Sequence, residues 1–139
     1  MSVRSFLDTN VLVYTDDKAS PSKQGCAIDL LAQHMRERTG VVSLQVLQEY
    51  FVTATRKLHV DPGLARRKVE LFSDFDIASP DLTDILAAVD LNRLHKISFW
   101  DALVIRSAKQ SGCKLLLSED MQPMREIEGL RIVNPFRSS

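Results

Sequence analysis

Lys114 to Leu117 closes on three consecutive leucines, and the next residues are Ser118, Glu119 and Asp120. An unbroken apolar run of this kind reads as a strand buried on both faces, which belongs in a parallel sheet covered by helices on either side. Other segments repeat the theme. Ser5-Phe6-Leu7 reads as a short buried strand ending at Asp8, Val41-Val42 as a short apolar run, Phe75 to Ala78 as a third strand, and Arg131-Ile132-Val133 as the last, stopped by Pro135. Helical segments separate them, beginning with Val11 to Tyr14. Ser20-Pro21 supplies a cap and a proline at the first helical position, with Gly40 as the stop. Ser43 caps a helix on which Leu44, Leu47, Phe51 and Leu58 share one face. Asp61-Pro62 opens another, with Leu64, Ala65, Val69 and Phe72 on its apolar side, and Asp84 to Leu94 forms a further one. Ser98-Phe99-Trp100-Asp101 starts, in the manner of a capping box, a helix that runs to Ser111 before Gly112. The expectation is one α/β domain over residues 1–139: a three-layer sandwich with a central parallel sheet of about five short strands flanked by helices.

At 139 residues such a domain buries a core without covalent staples. Cys26 and Cys113 have no CxxC neighbour and sit in apolar stretches, so two buried thiols in a reducing cytoplasm are expected. The N-terminus shows no apolar signal region, and no stretch is long enough to span a bilayer. Disorder is expected only in the last few residues after Phe136. Lys plus Arg and Asp plus Glu balance at 18 each. That leaves no whole-molecule basic field, which counts mildly against a simple nucleic-acid coat protein but not against a nuclease whose acidic pocket takes cations. Local basic clusters exist at Arg56-Lys57 and at Arg66-Arg67-Lys68, although such runs are usually solvated faces. Tyr14, Tyr50 and Trp100 are candidates to stack on bases, with core packing the stronger expectation for Trp100.

The acidic residues carry the functional argument. In open α/β sheets ligands bind beyond the carboxyl ends of the strands, and both Asp8 and Asp120 follow strands directly. Each has an ordinary explanation as well: a helix cap for Asp8, and for Glu119 or Asp120 the opening of a turn that Pro123 interrupts. Asp101 lies in the first turn of a strongly apolar helix, where the dipole favours a carboxylate by about 0.3–1 kcal/mol. Glu49 stands mid-helix between Leu47 and Tyr50-Phe51, which suggests burial and the need for a cation or an ion-pair partner. Converging like charges are unfavourable unless cations intervene. Hard oxygen donors suit Mg²⁺ or Mn²⁺, whereas zinc would need His or Cys, and His34, His59 and His95 show no ligand spacing. A Walker loop, a GxGxxG fingerprint and a GxSxG elbow are all absent.

The ordered set Phe6-Leu7-Asp8-Thr9-Asn10, Gln48-Glu49, Ser98-Phe99-Trp100-Asp101-Ala102 and Leu116-Leu117-Ser118-Glu119-Asp120 resembles the PIN-domain family, and within it the VapC-type ribonuclease toxins of toxin–antitoxin pairs. The resemblance implies a divalent-metal-dependent endoribonuclease that hydrolyses RNA phosphodiester bonds. By position, Asp8, Glu49, Asp101 and Asp120 match the family's catalytic, metal-binding acidic residues for Mg²⁺ (or Mn²⁺), with Asp120 fitting the fourth place better than Glu119. Thr9 and Ser118 match its supporting hydroxyl positions. It also implies a homodimer and a cognate antitoxin whose tail blocks the acidic cleft. RNA contact by Arg56 and Lys57 is a weaker reading. The alternatives are a PIN-like binding module without catalysis and, less favoured, an aspartate-based phosphatase. The second lacks its usual second Asp, since Asn10 stands there.

Overall fold

The computed structural model describes residues 2–121 and 125–137; Pro123 and residues 138–139 lie outside them. Six strands form one sheet in the order β3-β2-β1-β4-β6-β5: β1 Ser5–Leu7, β2 Gly40–Ser43, β3 Asp76–Ala78, β4 Leu115–Leu117, β5 Glu126–Ile127 and β6 Leu130–Val133. Every pairing is parallel except β5 with β6. The sheet therefore exceeds the expected five strands by β5. That strand is two residues long and turns back through Glu128 and Gly129, too short to leave a pattern in the sequence. The helices are α1 Thr9–Tyr14, α2 Pro21–Glu37, α3 Leu44–Arg56, α4 Pro62–Phe72, α5 Leu82–His95 and α6 Phe99–Gln110. They flank the sheet on both faces, which is why β1 and β2 are buried throughout.

β1 is central. From it the chain moves outward to β2 and β3 on one side, then crosses to β4 on the other. The gap between the carboxyl ends of β1 and β4 is thus the point where strand order reverses, the position at which α/β sheets bind ligands. Register sharpens this: Leu7 lies opposite Leu117, and the Asp8 N–H donates to the Leu117 carbonyl at 3.0 Å. Asp8 and Ser118 are set side by side as the two strands end.

Four local expectations are corrected. Gly40 does not stop α2; Arg38 does, in a left-handed conformation, and Ser20 makes no side-chain cap bond. Gly40 instead opens β2 where Phe75 crosses it, and a Cβ there would lie 2.5 Å from Phe75 Cδ1. Gly40→Ala is expected to lower stability by about 1–3 kcal/mol through this overlap with a buried ring. A urea titration should show a lower midpoint at unchanged slope. On α3 the buried face is Val46, Leu47, Tyr50 and Ala54, while Leu44 and Phe51 are exposed, because the sheet and α4 take the stripe that carries Tyr50. Of the two thiols only Cys113 is buried; Cys26 is half-buried and donates to the Pro135 carbonyl at 3.4 Å.

Candidate metal centre

Asp8, Glu49, Asp101 and Asp120 all line one open cavity of about 440 Å³, together with Thr9, Gln45, Gln48, Val52, Thr53, Trp100 and Val104. Four segments far apart in the chain deliver them. Asp8 both lines the cavity and serves as the N-cap of α1, its Oδ1 accepting from the Thr9 N–H at 2.8 Å. Glu49 projects from α3. Asp101 stands in the first turn of α6, where its N–H donates to the Ser98 hydroxyl at 3.0 Å. Asp120 follows β4. Among the described residues no lysine, arginine or histidine lines this cavity. Arg125 borders a separate, smaller hollow that Asp101 and Asp120 also line.

The electrostatics record the crowding. Burial pushes the Asp8 carboxyl from the ordinary 3.8 up to about 6, against the lowering effect of hydrogen bonds from Ser118 and Thr9, and the Asp120 and Glu49 charges push the same way. Asp101 is raised too, first by burial and then by Asp120 and Glu49. Ionisation of the buried members is held back because the opposite charge that would favour it is not supplied by the wall.

Supporting hydrogen bonds hold the set in place. The Ser118 hydroxyl donates to Asp8 Oδ2 at 2.7 Å, and the Thr9 hydroxyl donates to Glu49 Oε1 at 2.7 Å. Asn10 is a third supporting residue whose role the sequence did not announce. Its Nδ2 donates to Asp120 Oδ2 at 3.1 Å, and its Oδ1 accepts from the Glu119 N–H at 3.0 Å. The available signal was its place two residues after Asp8. Asn10→Asp removes the donor and adds a charge beside Asp120, so any reaction that needs Asp120 in position should slow about 10–100-fold. Steady-state kinetics with a thermal melt as folding control would measure it.

The geometry distinguishes Glu119 from Asp120. Glu119 does not line the cavity and is taken up elsewhere, accepting from the Tyr14 hydroxyl and pairing with Lys23 at 2.6 Å, while Asp120 faces the cavity. Several expectations are corrected. Glu49 is exposed rather than buried, since its neighbours Val46, Leu47 and Tyr50 take the core side of α3. Trp100, expected in the core, is 60% exposed, and Tyr50, offered for stacking, is fully buried. Lys68 is occupied by Asp16 and Arg66 by Glu70, so that basic cluster is largely absorbed by the fold. Arg56 and Lys57 are exposed at the end of α3 and do not line the cavity.

The donor set fits a hard divalent cation by its chemistry: four carboxylates, with no histidine or cysteine lining the cavity among the described residues. Among the described residues no three His, Cys, Asp or Glu side chains stand close enough to form a ligand cluster as they are.

Comparison with known proteins agrees with this architecture. The PIN domain family pattern matches residues 5–130. No curated protein matches the chain. Its structure is similar to VapC20 of Mycobacterium tuberculosis, a Sarcin-Ricin loop cleaving toxin, with a TM-score of 0.68 and 19% identity over 84% of this chain and 91% of that one. A toxin–antitoxin complex from Klebsiella pneumoniae matches with a TM-score of 0.68 and 21% identity, covering 94% and 97%. VapBC2 from Rickettsia felis, bound to a DNA fragment from its promoter, matches at 0.66 and 19%, covering 92% and 96%. At these identities the likeness establishes the shared fold.

Proposed function

We propose, since this chain belongs to the PIN domain family, that it is a divalent-metal-dependent endoribonuclease and the toxin of a toxin–antitoxin pair. The observation that carries the reading is the gathering of Asp8, Glu49, Asp101 and Asp120 on the wall of one cavity at the strand-order reversal. A Mg²⁺ or Mn²⁺ ion, when bound, supplies positive charge to the scissile phosphate and acidifies an attacking water. Asp8 and Asp101 would hold the ion, with help from Glu49 and Asp120. Ser118, Thr9 and Asn10 orient Asp8, Glu49 and Asp120 through their hydrogen bonds. The four would draw inward to ligate, the cation offsetting the repulsion among them.

Two further features support the partner side of the proposal. A groove lined by Leu44, Leu47, Phe51, Val69 and Arg66 shares Gln48 and Val52 with the acidic cavity. An antitoxin segment with apolar side chains would seat there and send a basic side chain among the carboxylates, blocking RNA. The relatives from Klebsiella and Rickettsia are themselves toxin–antitoxin assemblies. A homodimer and a cytoplasmic location belong to the same reading; among the described residues no helix is long and apolar enough to cross a membrane.

The test is cleavage of an end-labelled RNA in Mg²⁺, in EDTA, and by Asp8→Asn. The wild type should cut only with the metal, and the variant should not. Equal cutting by both proteins, or cutting in EDTA, would overturn the metal-centre reading.

A further inference from the structure

The cavity has a non-acidic wall, and its largest member is Trp100. We propose that Trp100 is the platform on which an unpaired RNA base stacks beside the bond being cut; the inference rests on the nuclease reading above. Trp100 is the chain's single tryptophan and is 60% exposed on the cavity wall. It immediately precedes Asp101, so the two Cα atoms are about 3.8 Å apart. A base attached to a phosphate held at Asp101 is therefore within reach of the indole.

The ring is braced. It meets Phe99 edge-on, with centroids 5.2 Å apart and planes at 75°, and Phe99 packs against the core. The Ser98 cap fixes the first turn of α6 that carries both rings. Val52, half exposed on α3, and Val104 on α6 line the same cavity, so apolar surface extends beyond the indole. An aromatic left in water beside four carboxylates gains when another flat apolar group covers it.

The other aromatic candidates are taken. Tyr50 is buried, and Tyr14 is bonded to Glu119 and packed on Phe136. With no basic side chain on the wall among the described residues, the grip on RNA has two sources there: a cation at the carboxylates and a π surface for the base. Stacking on an aromatic side chain is sequence-tolerant and strong enough to change affinity roughly five- to a hundredfold.

The lone tryptophan is also the reporter. In Ca²⁺, with the oligomer checked by gel for integrity, a single-stranded RNA should quench the fluorescence of the wild type. The same oligomer with abasic positions should bind, by anisotropy of an end label, with much less quenching. In Mg²⁺, Trp100→Leu should raise KM about tenfold or more with kcat changed far less, and Trp100→Phe should recover most of the loss. Both variants should melt with the wild type, since the ring is exposed. Unchanged fluorescence at saturating RNA, or a wild-type KM in Trp100→Leu, would overturn the stacking role and leave the ring as a protein contact. In that case the nuclease reading survives through wild-type cleavage. A wild type that neither binds nor cuts RNA would sink both.

Discussion

Asp8→Asn is expected to abolish metal-dependent cleavage and, in the same protein, to raise stability at neutral pH. The first effect follows from removing a ligand charge from the set that would hold the ion. Transition-state stabilisation by a metal is worth several kcal/mol, so the loss should be on the order of a thousandfold. The second effect follows from the pKa. The native Asp8 carboxyl keeps its proton up to about pH 6, whereas in the unfolded chain it is released near 3.8. Between those values the native state binds more protons, so stability falls as pH rises, and the penalty is fully present above pH 6. Its size is about 3 kcal/mol. Asparagine carries no charge to desolvate, but its single carbonyl oxygen cannot take both the Ser118 hydroxyl and the Thr9 N–H, which the two carboxylate oxygens accept separately. A net gain of about 1–3 kcal/mol at pH 7.5 is the expectation, with a flatter profile from pH 4 to 7. Urea unfolding at several pH values would measure it. Mg²⁺ should stabilise the wild type, by roughly 2.7 kcal/mol at a hundred times its Kd, and leave the variant unmoved. A variant less stable than the wild type at pH 7.5 would show that Asp8 is placed for folding rather than held ready for a cation.

That opposition between stability and chemistry explains which parts of the molecule were legible beforehand. Buried strands announce themselves, because two covered faces demand unbroken apolar residues: Leu115–Leu117 and Ser5–Leu7 lie where their composition puts them. So do the capped helix starts at Ser43, Asp61 and Ser98. The acidic residues were readable as an ordered set, although Asp8 alone is indistinguishable from the cap it also is. What stayed hidden depends on which face of a helix wins the core. Residues 44, 47 and 51 and residues 46, 47, 50 and 54 are both plausible stripes on α3. Phe72 and Asp16, the partners of Tyr50, decide the matter from outside the segment, and with it the exposure of Glu49. Trp100 departs from expectation for the converse reason: a tryptophan usually gains most by burial, and its exposure here is set by the cavity rather than by local pattern.

Tyr50 is accordingly where the largest stability effect should appear. It is fully buried, meets Phe72 edge-on at 5.0 Å, and donates its hydroxyl to Asp16 Oδ2, while Asp16 also pairs with Lys68 at 3.1 Å. One side chain thus ties α3 to α4 and to the loop after α1. Tyr50→Ala leaves a ring-sized void and removes a buried hydrogen bond, at a cost of about 3–5 kcal/mol, or roughly 10–20 °C in Tm. Tyr50→Phe keeps the packing and loses only the hydroxyl bond, at about 1–2 kcal/mol. The pair separates structure from chemistry. If Tyr50 only orients α3, Tyr50→Phe should retain near-wild-type KM for RNA, because the ring never reaches the cavity. A large KM increase in Tyr50→Phe with an unchanged melt would mean that the hydroxyl acts on substrate, and that α3 presents a different face to the cavity than the one described.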